Sequence, residues 1–400
     1  MHAPPIVYLD TQDFSRFGDV LRGKSNTSTE AIFVDLERRK LAGEVVFAAS
    51  MPLLGELLQY DVDFRETTIK KAEAMERLCG SWALADPARV LAAEIAELAK
   101  QRGLLPVSQN TAVLSQDRYW FPNLASELVD LRERLEGVVD TLISQASLDS
   151  RLNRRQAKRV RKMDLSRIVQ LVAPELAASL DIPVESVMGS IVALLSNKIT
   201  PEQASRRLFG AIAEPVKFVE TYFEKIKHDC TLLPRWMSKM GSDFEALLGE
   251  LRDTIQPFTL DESDRKLVES MIAERIQITG RAVLGMVSDE TDEFGIDAGA
   301  LRVLKGCEVF ADQLPACEVF GRVVTAYVLQ IAGLRGSAGK IERSFGGDMV
   351  HALYLPHVDL WRGDRRFAQL VKEAAPRFGD RVISTINELP HAIDTWRELR

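Results

Sequence analysis

Four acidic residues from distant parts of this 400-residue chain have the type and placement needed for hydrolytic chemistry. Asp10 directly ends a short β-branched and aromatic run, Ile6-Val-Tyr-Leu9, and Glu56 falls on the second turn of a helix that Ser50-Met-Pro52 starts after a second run, Val45-Val-Phe-Ala48. Asp348 follows Gly346-Gly347 at a helix start, and Asp364 follows the run Val358-Asp-Leu-Trp361. In a parallel sheet, residues just past the carboxyl ends of the strands meet in one crevice. Two carboxylates about 4 Å apart repel by on the order of 4 kcal/mol at an effective dielectric of 20, so a cluster of four needs protons or cations. Hard oxygen ligands select Mg²⁺ or Mn²⁺. Ions held this way lower the pKa of a bound water, orient it in line with a phosphodiester and stabilise the leaving oxygen. That is nuclease chemistry without a histidine or serine nucleophile. Taken singly, each acid also reads as an ordinary helix cap.

The elements that must position these acids lie at the two ends of the chain. Strand-like runs at residues 6–9 and 45–48 are each followed by a helical pattern, and the runs at 358–361 and Arg381-Val-Ile-Ser384 flank a helical stretch from Arg365 to Ala375. Strand, helix, strand, helix implies a parallel α/β sheet. From about Asn123 to Gly333 the period is helical, with Thr200-Pro201 and Gln203 forming a capping box and Asp181 and Asp261 as further helix starts. A glycine-rich junction, residues 333–340, leads back to strand-like sequence. The expected organisation is therefore an α/β domain built from residues 1–123 and 336–400, interrupted by an all-α inserted domain at 124–335. A 44.7 kDa chain is long enough for two cores.

Several other chemistries fail at a named residue. Gln12 stands where the D-x-D opening of a haloacid-dehalogenase phosphatase has its second acid. Ile341 follows Gly339-Lys340 where a P-loop needs Ser or Thr, and Phe294 replaces the glycine of a calcium loop in residues 289–295. Cys79, Cys230, Cys307 and Cys317 are too scattered for a zinc knuckle and read as buried thiols of a reducing compartment. With no basic leader and no long apolar segment, the expectation is a cytoplasmic protein with no membrane contact.

The segments Ile6-Val-Tyr-Leu-Asp10-Thr-Gln-Asp-Phe14, Ala49-Ser-Met-Pro-Leu-Leu-Gly-Glu56-Leu and residues 348–367 resemble, in order, the successive acidic motifs of PIN-domain ribonucleases. The resemblance covers residues 1–123 and 336–400. It implies a PIN-like three-layer domain with a parallel sheet, in which Asp10, Glu56, Asp348 and Asp364 hold Mg²⁺ or Mn²⁺ and cleave RNA. Gln12 departs from the Asn or Ser common there, and Arg362 from the Thr or Ser that precedes the last acid by two residues; Arg362 would bind a phosphate or quench an acid. Asp13, Asp359 and His351 are candidates for supporting the ligands from behind, with a helix-start acid the alternative for Asp13 and a structural histidine for His351.

Charge supplies a partner. The net is −7, yet Arg151, Arg154, Arg155, Lys158, Arg159 and Lys162 fall at helical offsets on one face. With Arg161 the segment carries seven positive charges, so the remainder sums to −7 minus 7, or −14. Such a stripe can track an RNA backbone without reading its sequence, or it can be a solvated face. A second reading of the whole chain is a catalytically inactive PIN-like scaffold whose helical insertion binds a protein or RNA partner.

Overall fold

The parallel sheet is built from both ends of the chain. The computed structural model describes residues 3–58, 62–108, 110–116, 184–210, 213–226, 313–332 and 345–399, with isolated positions and stretches of two or three residues between them. β1 (Ile6–Tyr8) is central, flanked by β2 (Val46–Phe47) and β5 (Leu360–Arg362), with β6 (Val382–Ile383) beyond, giving the order β2-β1-β5-β6. All pairs are parallel, with Val7 opposite both Phe47 and Leu360, and Trp361 opposite Val382. A central parallel strand is covered on both faces and so reads as a continuous apolar run; Val7, Tyr8 and Leu9 are buried accordingly. A parallel bridge between Ala49 and Ala83 attaches β3 (Ala83–Leu84) beyond β2, and β4 (Leu114–Ser115) pairs antiparallel with β3. The α/β class expected from the sequence is what the described residues show.

Helices leave the carboxyl ends of the strands through side-chain caps. The Asp10 carboxylate accepts from the Gln12 amide at 2.7 Å and starts α1 (Thr11–Leu21). Ser50 caps α3 (Met51–Leu57), and Asp364 caps α11 (Arg365–Ala374) by accepting from the Arg366 amide at 3.0 Å. α1 buries Phe14 and Phe17 and packs on α2 (Thr27–Leu41) and α4 (Arg65–Cys79), with Phe17 stacked on Phe33. α5 (Pro87–Gln101) starts at the Asp86 cap.

By contacts the chain divides into one unit of residues 1–121 and 233–400 and a second of 122–232. In the second unit, α6 (Val184–Leu195), α7 (Pro201–Gly210) and α8 (Pro215–Ile226) are described. α7 begins with the expected reciprocal capping box: the Gln203 amide donates to Thr200 Oγ1 at 3.3 Å, and the Thr200 amide to Gln203 Oε1 at 3.1 Å. The helix α9 (Pro315–Ala332), inside the stretch 124–335 assigned to the insertion, instead packs against α5, α11 and α10 (Phe345–Ala352) of the α/β unit. Its apolar face, with Val319, Val323 and Val328, belongs to that core, and Tyr327 stacks on Phe345. Periodicity shows that a helix has an apolar face but not which core receives it. The chain closes with α12 (Leu389–Glu398). The basic stripe at 151–162, the helix starts at Asp181 and Asp261 and the junction 333–340 lie outside the described residues.

Candidate functional site

β1 and β5 run side by side and the same way, so Asp10 and Asp364 leave the same edge of the sheet. Asp348 is in the first turn of α10, and Glu56 is near the end of α3. Burial pushes the Asp348 carboxyl up to about 7; His351 opposes the shift, and Asp10, Glu56 and Asp364 all add to it. Asp348 thus feels each of the other three acids, although they come from four separate segments. All four are partly accessible.

Glu56 is the most tightly held of the set. Thr11 Oγ1 donates to its Oε2 at 2.6 Å, and His351 Nε2 stands 3.0 Å from the same oxygen. The His351 contact is an ion pair. Burial works against ionising Glu56, but the imidazole and the Thr11 hydroxyl more than offset it and keep the carboxyl below its ordinary range. Oε1 points at Gly347, where a Cβ would come within 2.7 Å of it. A side chain at 347 would push the Glu56 carboxylate aside.

His351 is itself buried. Burial disfavours its charged form, yet Glu56 first, then Asp10 and Asp348, carry its pKa up to about 9. Its Nδ1 is hydrogen-bonded to the Tyr8 hydroxyl at 2.6 Å, which also meets Ser50 Oγ at 2.8 Å. The indole N–H of Trp361 donates to the His351 carbonyl at 3.0 Å. Gly363 admits no side chain, because a Cβ there would collide with the Trp361 ring. The turn that delivers Asp364 folds against that indole.

Other expected residues have different placements. Arg362 is 2% exposed and aims inward, with Nη2 at 3.0 Å from Oδ1 of the fully buried Asp13 and Nη1 against the Gly363 carbonyl. It is a buried counter-ion, which removes the expectation that it binds a phosphate. Asp13 donates its amide to the Asp10 carbonyl at 3.0 Å, a first-turn backbone contact, while its side chain faces Arg362. Burial pushes its carboxyl above the ordinary range, with Arg362 opposing. Asp359 sits at the opposite edge of the sheet: its Oδ2 accepts from the Ile6 amide at 2.9 Å, and its own amide donates to the Ile6 carbonyl. The strand begins at Leu360, not at Val358, so Asp359 ties the amino ends of β1 and β5, roughly 10 Å of strand away from the acids. The sequence reading passed over Tyr8, Thr11 and Gly347. Tyr8 carried a signal, since a tyrosine in a buried aliphatic strand must find a partner for its hydroxyl.

The donor set is all hard oxygen, and the Glu56–Gly347 approach leaves a carboxylate oxygen where a side chain would otherwise stand. These residues fit a hard divalent cation. Among the described residues, no three acids, histidines or cysteines are drawn together closely enough to enclose an ion as they stand. Among the same residues, no helix is long and apolar enough to cross a membrane. Comparison with known protein families, curated proteins and solved structures gives no match.

Proposed function

We propose that the α/β unit is a PIN-like, Mg²⁺- or Mn²⁺-dependent endoribonuclease, with Asp10, Glu56, Asp348 and Asp364 around the ion. One observation carries this reading: Asp10 and Asp364 leave adjacent parallel strands at one sheet edge, and the helix that bears Asp348 meets Glu56 through His351 at 3.0 Å. Sequence-distant carboxylates gain nothing by approaching one another unless something neutralises them. Mutual repulsion keeps bare carboxylates apart, and a divalent cation is what would draw them in.

The chain's own residues have separable roles. Asp10 and Asp364 each spend one oxygen on a helix cap, which fixes the carboxylate and leaves the second oxygen for a ligand. Glu56 is anchored through Oε2 and presents Oε1. Asp348 must give up its proton to take part, and the cation provides the incentive. The ion would supply the Lewis acidity that activates water and stabilises the leaving oxygen. The one-faced basic segment at 151–162 is the proposed RNA backbone contact, and the helical insertion the element that carries it.

The competing reading, an inactive scaffold with a protein or RNA partner on its insertion, draws on Glu56 already having two partners. Incubating a mixed RNA pool with Mn²⁺ decides between them. Wild-type protein should cleave, while Asp10→Asn and Asp348→Asn should not. Equal background cleavage in all three would favour the scaffold, and cleavage of labelled DNA in preference to RNA would reassign the substrate.

A further inference from the structure

Resting on the metal-site reading above, we propose that His351 is a positioning residue that holds the Glu56 carboxylate in its working orientation through a buried polar chain. The chain runs from Ser50 Oγ to the Tyr8 hydroxyl at 2.8 Å, to His351 Nδ1 at 2.6 Å, and from Nε2 to Glu56 Oε2 at 3.0 Å; Thr11 Oγ1 closes on the same oxygen at 2.6 Å. Its members come from β1, the α3 cap, α3 itself, α1 and α10, so the chain fastens four elements of the α/β unit to one carboxylate.

The anchoring is unequal at the two ends of Glu56. Its side chain is 32% exposed while that of His351 is 8% exposed. The Tyr8 side chain is buried, its ring stacked on Tyr354 at 5.2 Å between centroids, and the Trp361 indole holds the His351 carbonyl. The imidazole therefore cannot turn away, whereas a glutamate on the last turn of a seven-residue helix could. Ordering a free glutamate costs rotamer entropy, and a fixed imidazole meets that cost before a ligand arrives. Two partners share Oε2, and none of the chain's members touches Oε1, which projects over Gly347. Partners behind a ligating carboxylate tune metal affinity about 10- to 100-fold.

A double-mutant cycle in Mn²⁺ affinity, read by titration calorimetry on the full chain, tests this. The set is wild type, Glu56→Gln, His351→Ala and the double variant. Action through Glu56 predicts that His351→Ala weakens Mn²⁺ binding about 10- to 100-fold, and that it costs no further affinity once Glu56→Gln is present. His351→Gln, which returns an N–H donor, should recover part of the loss. Should His351→Ala not fold, Tyr8→Phe takes its place in the cycle, with a smaller loss that again vanishes in the Glu56→Gln background. A loss of equal size with and without Glu56→Gln would overturn the positioning role while leaving the metal site standing. Wild-type protein that binds no Mn²⁺ would overturn the metal site itself, and the positioning role with it.

Discussion

Replacing Arg362 by Met should destabilise the α/β unit at pH 8 and much less at pH 5. Arg362 is 2% exposed and Asp13 0%, with 3.0 Å between Nη2 and Oδ1. After the substitution, the nearest cation to Asp13 is Arg16, at 3.9 Å and half-exposed. Removing one partner of a buried pair strands the other charge, but Asp13 can take up a proton instead, at about 1.4 kcal/mol per pH unit above its folded value of about 7. At roughly 2–4 °C per kcal/mol for a unit of this size, the melting temperature at pH 8 should fall by about 3–6 °C. The pH dependence follows from the sign. Burial already lifts the Asp13 carboxyl to about 7, and losing Arg362 removes an influence that lowers it. The neutral acid is tolerated in the fold, so the penalty is absent below the folded pKa and grows as pH rises through it. Asp13→Leu combined with Arg362→Met removes both charges and should recover most of the loss. Thermal melts of the wild type, the single and the double variant at pH 5 and pH 8 measure all of this. A loss below about 1 kcal/mol at pH 8, or a double variant no better than the single, would refute the buried-pair argument.

Two further outcomes follow from the site. With chelator present, stability should fall between pH 5.5 and pH 9. Asp348 is raised to about 7 and His351 to about 9, so both favour the fold while protonated and lose that advantage as pH rises through those values. Saturating Mn²⁺ should restore about 2.7 kcal/mol at a hundredfold excess over Kd, and melts that stay flat with pH and ion would contradict the coupling. Gly347→Ala places a Cβ 2.7 Å from Glu56 Oε1, which a side-chain end can escape; the melting temperature should move by only a few degrees (~1 kcal/mol) while Mn²⁺ affinity drops about tenfold. Unchanged affinity would show that Glu56 is not at the ion.

The four principal strands and their helix starts were legible because burial and capping are local signals. A central parallel strand needs a β-branched apolar run, as at Ile6-Val7, and Asp10, Ser50, Asp364 and Thr200 are oxygen-bearing caps at helix starts. β3 and β4 were not legible: Ala83-Leu84 and Leu114-Ser115 are strands only by virtue of hydrogen bonds from residues far along the chain. The same limit applies to α9, whose core is chosen by tertiary packing. In the site, residue type and spacing named the acids and offered Asp13, Asp359 and His351 as supports, but not which group each would meet. His351 meets Glu56 across 295 residues of sequence, and Asp359 misses the site because β5 starts two residues later than the apolar run suggests. Arg362 turns inward because a fully buried Asp13 waits for it, a contact no spacing rule shows.

The metal site at the centre of this reading is tested most directly by diffraction from crystals grown with Mn²⁺, measured at the manganese absorption edge. An anomalous peak bounded by the carboxylates of Asp10, Asp348 and Asp364, with Glu56 beside it, is the expected result, and it should vanish in Asp348→Asn. A map with no peak at the carboxyl edge of the sheet, or one unchanged by Asp348→Asn, would contradict it.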